Sequence, residues 1–206
     1  MSKIALFGTS ADPPTEGHQS ILTQLGQRFD RVLVWAADNP FKSHGASLEH
    51  RQAMLEVLIN SIYPPQTNIL LKPELSSRRT IETVHRARKS WLNDDFTLVI
   101  GSDLVSQIPR WYKINDLLGE VNLLVVPRPG YDIEDPDLAK LRELGGKVAI
   151  ANWQGLPVSS TDFRQAGDPN PIPGAVADYI ARQNLYQSSS VHSSPEYGRK
   201  FPTTID

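Results

Sequence analysis

The 206-residue chain contains no cysteine. This absence excludes disulfide bonds, thiolate metal sites and a cysteine nucleophile, so catalysis must use other groups. A strong charge of either sign is also missing, because 21 Lys and Arg nearly balance 23 Asp and Glu and leave a net charge of −2. We therefore expect no binding of nucleic acid or of an acidic membrane surface, and any anion must be bound locally.

Long apolar runs are missing as well. The opening MSKIALFGTS has too short an apolar run for a signal peptide, and no stretch approaches the ~18 uncharged apolar residues of a membrane span. These absences predict a soluble, cytoplasmic protein.

Short apolar runs rich in branched residues predict strands. They lie at Lys3 to Phe7, Arg31 to Ala36, Asn68 to Leu71, Phe96 to Ile100, Val121 to Val126 and Lys147 to Ala151. Between them, apolar residues recur at helical spacing, as in Ile21, Leu22, Leu25 and Phe29. The alternation predicts an α/β, Rossmann-like fold with a mostly parallel sheet flanked by helices on both faces.

The carboxyl-terminal part changes in composition. Val176, Tyr179 and Ile180 predict a last helix, with Leu185 packing behind it. From Gln187 onward the chain is Ser-rich and weakly apolar, which is typical of disorder. We predict one domain over residues 1–186 and a disordered tail over residues 187–206.

The segment GTSADPPTEGHQSIL runs from the first strand into a helix and predicts a phosphate cradle. Gly8 allows close backbone approach, the hydroxyl of Ser10 can donate, and the helix amino terminus favours an anion. Thr15 and His18 are three residues apart and face the same side of a helical turn. The alternative is an ordinary loop with a surface histidine. The GxxxxGK[ST] and GxGxxG signatures are absent from this loop.

Two more segments offer anion-binding groups. Lys42 lies in a Pro-containing loop after the second strand, where it can neutralise a triphosphate or simply face solvent. In the SSTxxR run, hydroxyls cap a helix and Arg164 follows one turn later. This run predicts a second anion site, with a plain helix cap and a surface arginine as the alternative.

Gly101, Ser102 and Asp103 follow a buried strand. A carboxylate there can accept hydrogen bonds from ribose hydroxyls, or it can cap the next helix. Trp111 and Tyr112 come after a proline turn; such a pair is either part of the core or a platform for a planar ligand.

The first loop, GTSADPPTEGH, resembles the GGTFDPxHxGH segment of [HT]xGH nucleotidyltransferases, and specifically of bacterial nicotinate mononucleotide adenylyltransferases. Further matches follow in the expected order over roughly residues 3–186. They are ADNPFKSHGASLEHRQAML, IGSDLVSQIPRWYKINDLL, LLVVPRPGY, VSSTDFRQ and IPGAVADYIARQNLY.

The resemblance implies catalytic roles for His18, Thr15, Lys42 and Arg164. Thr15 replaces the usual histidine and can donate a hydroxyl but cannot carry charge. The resemblance further implies an ATP-binding set: Gly8, Thr9, Ser10, His18, Lys42, Gly101, Asp103, Ser160, Thr161 and Arg164.

The mononucleotide side departs from the family pattern. The resemblance implies that Trp111 stacks on the pyridine ring with Tyr112 beside it, and that Arg79 and Thr80 help to bind the mononucleotide. However, SSRRTIETV places Arg78 and Arg79 where small and aromatic residues are usual. An arginine here can favour the carboxylate of nicotinate, bind the mononucleotide phosphate, or face solvent.

Together these features predict an adenylyltransferase that moves AMP from ATP to nicotinate mononucleotide, or also to nicotinamide mononucleotide, and releases pyrophosphate. Mg²⁺ is expected to arrive with ATP, without a protein metal site. The alternatives are another small-nucleophile nucleotidyltransferase of the same superfamily or a non-catalytic nucleotide-binding module. Oligomeric state is not predicted.

Overall fold

A computed structural model of the chain describes residues 1–38, 42–166 and 171–187. In this part of the chain, six parallel strands form one sheet in the order β3-β2-β1-β4-β5-β6. The strands are β1 (Lys3–Thr9), β2 (Arg31–Ala36), β3 (Ile69–Leu71), β4 (Asp95–Gly101), β5 (Asn122–Val126) and β6 (Lys147–Ile150). The order reverses direction between β1 and β4, and open parallel sheets bind ligands beyond the carboxyl ends of the strands at such a point.

Helices follow most of the strands. Within the described ranges they are α1 (Glu16–Gly26), α2 (Leu48–Asn60), α3 (Thr80–Ser90), α4 (Ile114–Glu120), α5 (Asp135–Glu143), α6 (Ser160–Ala166) and α7 (Gly174–Arg182). Short 3₁₀ segments lie at Pro73–Leu75, Ser102–Leu104 and Ile108–Arg110.

The core consists of two apolar layers, one on each face of the sheet. Side chains of a strand alternate between faces, and β4 shows it: Leu98 and Ile100 belong to the layer covered by α3, α4 and α5. Val99 belongs to the layer covered by α1, α2 and α7. The predicted Rossmann-like fold, with helices on both faces of a parallel sheet, is therefore confirmed.

The predicted elements differ from the observed ones only near their ends. Phe29, predicted in the first helix, lies beyond Gly26, where the chain turns toward β2 and the N–H of Phe29 still donates to Leu25 O. It nevertheless packs against the apolar layer covered by α1, α2 and α7, as does Leu185 after α7. The predicted disordered tail comprises residues 187–206, and all of it except Gln187 lies outside the described residues.

None of the described helices has both the length and the apolar composition that crossing a bilayer requires.

Candidate active site

The amino-terminal strand ends in a tightly packed corner. Gly8 of β1 pairs with Trp35 of β2, and a Cβ on Gly8 would lie 2.5 Å from the indole ring. Trp35 itself is almost fully buried. Glycine at this position is therefore required by the indole, and the packing sets the position of Thr9, the last residue of β1.

His18 lies in the first turn of α1, and two threonines hold its imidazole. The backbone N–H of Thr15 donates to Nδ1 at 3.0 Å, and the Thr15 hydroxyl is 2.9 Å from the same nitrogen. Because Nδ1 accepts, the neutral ring carries its proton on Nε2, which lies 2.8 Å from Thr9 Oγ1. Thr15 is the N-cap of α1 and is buried. The predicted juxtaposition of Thr15 and His18 is present, but the threonine side chain is directed at the histidine.

The environment of His18 disfavours its charged form. Burial, and secondarily the positive charge of Arg128, lower the pKa of His18 from 6.5 to about 4. At neutral pH the imidazole is therefore an uncharged hydrogen-bond donor through Nε2.

The loop after β2 reaches the loop after β1. Lys42 is exposed, and its Nζ donates to Ser10 Oγ at 3.4 Å. Two groups predicted to bind phosphate from separate segments thus meet directly.

The SSTxxR run, residues 159–164, packs against the loop after β1. Ser159 Oγ accepts from the N–H of Asp162 at 3.1 Å, which confirms the predicted helix cap. Ser160 Oγ donates to Pro13 O at 2.7 Å. Arg164 donates to the carbonyl oxygen of Asp12, and its Nη2 lies 3.4 Å from Thr161 Oγ1. The second predicted anion site is therefore continuous with the first.

Asp12 is a buried residue of the first loop that was not among the predicted site residues, although its type and place in the DPP turn could have drawn attention to it. Its side chain is almost inaccessible and accepts from the N–H groups of Gly45 at 2.8 Å and Ala46 at 3.1 Å. His44 Nδ1 is 3.5 Å from the same carboxylate. Asp12 thus connects the first loop to the loop that carries Lys42.

Arg51 is a second residue that the sequence reasoning missed. It is 2% exposed, and its Nη1 donates to Ser10 O at 2.8 Å and to Ala37 O at 2.9 Å. Burial lowers the pKa of this guanidinium, with opposing contributions from acidic neighbours such as Asp12. The buried cation joins the ends of β1 and β2 just behind the cradle.

At the end of β4, the carboxylate of Asp103 is 3.1 Å from Nη1 of Arg128. A Cβ on Gly101 would lie 2.3 Å from Asp103 Oδ1, so glycine is needed for this arrangement. Ser102 does not cap the following turn; its Oγ accepts from the N–H of Arg128 at 2.9 Å and donates to Tyr131 O at 2.8 Å. Arg128 lies within PRPGY but was not singled out from the sequence.

The residues predicted to bind the mononucleotide form a separate group. Arg79 is the N-cap of α3, directly before Thr80, and its guanidinium lies 4.0 Å from the ring centre of Tyr112. Trp111 is partly buried against the apolar layer covered by α3, α4 and α5, whereas Tyr112 is 50% exposed. Arg78 points elsewhere, with Nε 3.8 Å from Asp38 Oδ2. Among the described residues, no hydrogen bond joins this group to the cradle.

Comparison with known proteins places this fold and its loops among the nucleotidyltransferases. Residues 6–166 match the cytidylyltransferase-like family model, so the chain belongs to that family.

Individual relatives narrow the class. The chain is 46% identical over 198 residues to the probable nicotinate-nucleotide adenylyltransferase of Synechocystis sp., covering 90% of this chain and 99% of that protein. It is 27% identical over 198 residues to the nicotinate-nucleotide adenylyltransferase of Bacillus subtilis, covering 91% and 100%. The Plasmodium falciparum nicotinic acid mononucleotide adenylyltransferase complexed with NaAD has a TM-score of 0.77 at 25% identity, covering 90% of this chain and 98% of that chain. Within its family, the chain belongs with the nicotinate-nucleotide adenylyltransferases.

Proposed function

We propose that this protein transfers AMP from ATP to nicotinate mononucleotide and releases pyrophosphate, a step of NAD biosynthesis. The observation that carries the proposal is the meeting of three chain segments at the carboxyl end of β1. They bring together His18 beside Thr9, Lys42 on Ser10, and Arg164 on the Asp12 carbonyl. The meeting point lies where the strand order reverses, which is where such sheets bind nucleotides.

The reaction suits these groups. A phosphate oxygen of the mononucleotide, already anionic at neutral pH, attacks the α-phosphorus of ATP. The bond from that phosphorus to the bridging oxygen breaks, and pyrophosphate leaves with the electron pair. Because no proton has to be removed from the nucleophile, positioning and charge stabilisation suffice. No covalent enzyme intermediate is needed.

We assign the ATP phosphates to the cradle. A phosphate oxygen takes the place of Thr9 Oγ1 as the acceptor of the His18 Nε2 proton, and its negative charge raises the pKa of the imidazole again. Lys42 and Arg164 neutralise the outer phosphates, with Ser10, Ser160 and Thr161 as hydroxyl donors. Thr15 acts through His18, because its backbone N–H keeps the imidazole in the tautomer that presents Nε2–H to the phosphate.

The adenosine is assigned to the end of β4. Gly101 leaves room for the ribose to approach, and the Asp103 carboxylate accepts from the ribose hydroxyls. Gly8 supports the site indirectly, because only glycine leaves room for the Trp35 indole to pack against the end of β1.

Mg²⁺ fits this site as a companion of ATP. The cradle offers hydroxyls and cations, and no cluster of three or more acidic or histidine side chains suitable for a metal exists among the described residues. Mg²⁺ keeps several waters and binds substrate phosphates readily. When bound, it neutralises charge on the phosphate oxygens.

The group around Arg79 supplies the mononucleotide side. We propose that the pyridine ring stacks against Trp111 and Tyr112, while Thr80 and the Arg79 guanidinium lie at its rim. A positive charge held against the face of Tyr112 can pair with the carboxylate of nicotinate but gains nothing from the neutral amide of nicotinamide. We therefore propose that the enzyme prefers nicotinate mononucleotide. We also propose that it is cytoplasmic and that its catalytic domain spans residues 1–186.

Turnover assays test the proposal directly. The protein is incubated with Mg-ATP and either nicotinate or nicotinamide mononucleotide, and both pyrophosphate and the dinucleotide product are measured. We expect stoichiometric formation of the two products, faster with nicotinate mononucleotide. Absence of turnover with both pyridine nucleotides would overturn the proposal, and ATP binding without turnover would instead favour a nucleotide-binding module.

A further inference from the structure

A tyrosine near the carboxyl-terminal end of the described chain contacts the ATP cradle from behind. The hydroxyl of Tyr186 donates to Asp12 Oδ1 at 2.7 Å across 174 residues of sequence. The same carboxylate accepts from the backbone N–H groups of Gly45 and Ala46 in the Lys42 loop. A single buried carboxylate therefore joins the first loop, the Lys42 loop and the segment that follows α7.

The ring of Tyr186 is as closely fitted as its hydroxyl. A Cβ on Gly45 would lie 2.8 Å from the Tyr186 ring and 3.3 Å from Cδ of Arg164. Phe163 meets the ring edge-on, with centroids 5.6 Å apart. Nη1 of Arg164 is 3.7 Å from Asp12 Oδ2 and also donates a hydrogen bond to the Asp12 carbonyl. The tyrosine thus contacts both segments that carry the cationic side chains of the cradle.

We propose that Tyr186 is a positioning residue for ATP binding, which holds the Asp12 carboxylate and the Gly45 backbone so that Lys42 and Arg164 face the triphosphate. The proposal rests on the proposed function of this site. Tyr186 acts through Asp12 and touches no substrate itself.

The chemistry of the contact supports this role. Burial, and then the hydrogen bond to Asp12, raise the pKa of Tyr186 well above its usual value, so the phenol remains a donor at all working pH values. Asp12 faces Arg164, His44 and the two backbone N–H groups from the other elements packed against it. Without the phenol, the carboxylate can turn toward the guanidinium and draw it away from the phosphates.

The expected signature is a change in substrate binding. Lys42 and Arg164 are assigned to phosphates in both the bound substrate and the transition state, so misplacing them raises KM for ATP more than it lowers kcat. Losing one hydrogen bond to a charged group corresponds to roughly a tenfold rise in KM and in the Kd for ATP.

The experiment uses full-length Tyr186→Phe, which keeps the ring. The matched control is Tyr179→Phe, which removes the 3.0 Å hydrogen bond between Tyr179 and His50 Nδ1 and so loosens α7 from α2 without touching Asp12. Steady-state kinetics in both substrates, calorimetric binding of ATP and thermal melting are measured for each. We expect KM and Kd for ATP to rise about tenfold in Tyr186→Phe only, with KM for the mononucleotide within twofold.

Other outcomes overturn the inference. An unchanged Kd for ATP in Tyr186→Phe would overturn it. An equal rise of the Kd in Tyr179→Phe would also overturn it, because a merely structural role would affect both variants. If wild-type protein binds ATP but shows no turnover, the proposed function fails while the Kd comparison still decides the role of Tyr186. Should Tyr186→Phe not fold, Gly45→Ala tests the same contact from the other side, and a normal Kd for ATP in that variant overturns it.

Discussion

The backbone N–H of Thr15 donates to Nδ1 of His18 at 3.0 Å. This bond selects the tautomer that presents Nε2–H to the cradle, and it uses a group that every residue except proline possesses. The positioning of His18 by this bond therefore does not depend on which side chain residue 15 carries.

Loss of the His18 imidazole removes the donor at the centre of the cradle. His18→Ala is expected to lower turnover by about 100-fold or more, the scale for one preorganised electrostatic donor. The control is His85→Ala, which removes a half-exposed histidine 2.8 Å from Glu120 and should leave turnover unchanged. Near-normal turnover in His18→Ala, measured as pyrophosphate release, would remove this residue from the mechanism.

The lowered pKa of His18 also makes stability depend on pH. Between pH 6.5 and about 4, His18 is protonated in the unfolded chain but neutral in the folded protein. The unfolded state is then favoured, so this contribution is fully present above pH 6.5 and is lost as the pH falls, by on the order of 3 kcal/mol. Urea unfolding of wild type and His18→Gln at pH 7.5 and pH 5 measures it. The stability of wild type should fall more than that of the variant, and parallel losses would contradict the assignment.

Arg79 is expected to set the choice between the two mononucleotides. Arg79→Gln should lower kcat/KM for nicotinate mononucleotide by about tenfold or more and leave the nicotinamide value nearly unchanged, since only nicotinate carries the carboxylate. Arg78→Gln is the matched control, because its side chain is 73% exposed and is directed at Asp38. Equal losses for both mononucleotides would instead assign Arg79 to the phosphate that they share.

Gly101 is expected to be essential for the arrangement of Asp103. In Gly101→Ala the new methyl group would lie 2.3 Å from Asp103 Oδ1 and 2.9 Å from Cδ of Arg128, so both side chains must move and their ion pair opens. We expect a severalfold higher KM for ATP with a small change in thermal stability. Gly119→Ala is the control, because the added methyl group would meet no described residue within 4 Å apart from its chain neighbours and the backbone of its own helix. Equal KM values in wild type and both variants would exclude Asp103 from ATP binding.

Local sequence patterns determined the architecture of this protein. Every predicted strand is present to within two residues at either end, because apolar runs and helical spacing report which face of each element is buried. The same patterns, with the family motifs, pointed to His18, Lys42 and Arg164 as members of one site. Parallel strands bring the loops after their carboxyl ends to one edge, so this much follows from the order of elements along the chain.

Only the tertiary structure decided how those residues are held. Arg164 bonds to the carbonyl of Asp12 from 152 residues away, and Tyr186 reaches the side chain of the same residue from 174. Contacts at such separations leave no periodic signal in the sequence, because they depend on how whole loops pack after the sheet has formed. The burial of Asp12 and Arg51 is of the same kind. Charged residues are usually exposed, and only the surrounding hydrogen-bond partners allow these two to lie inside the protein.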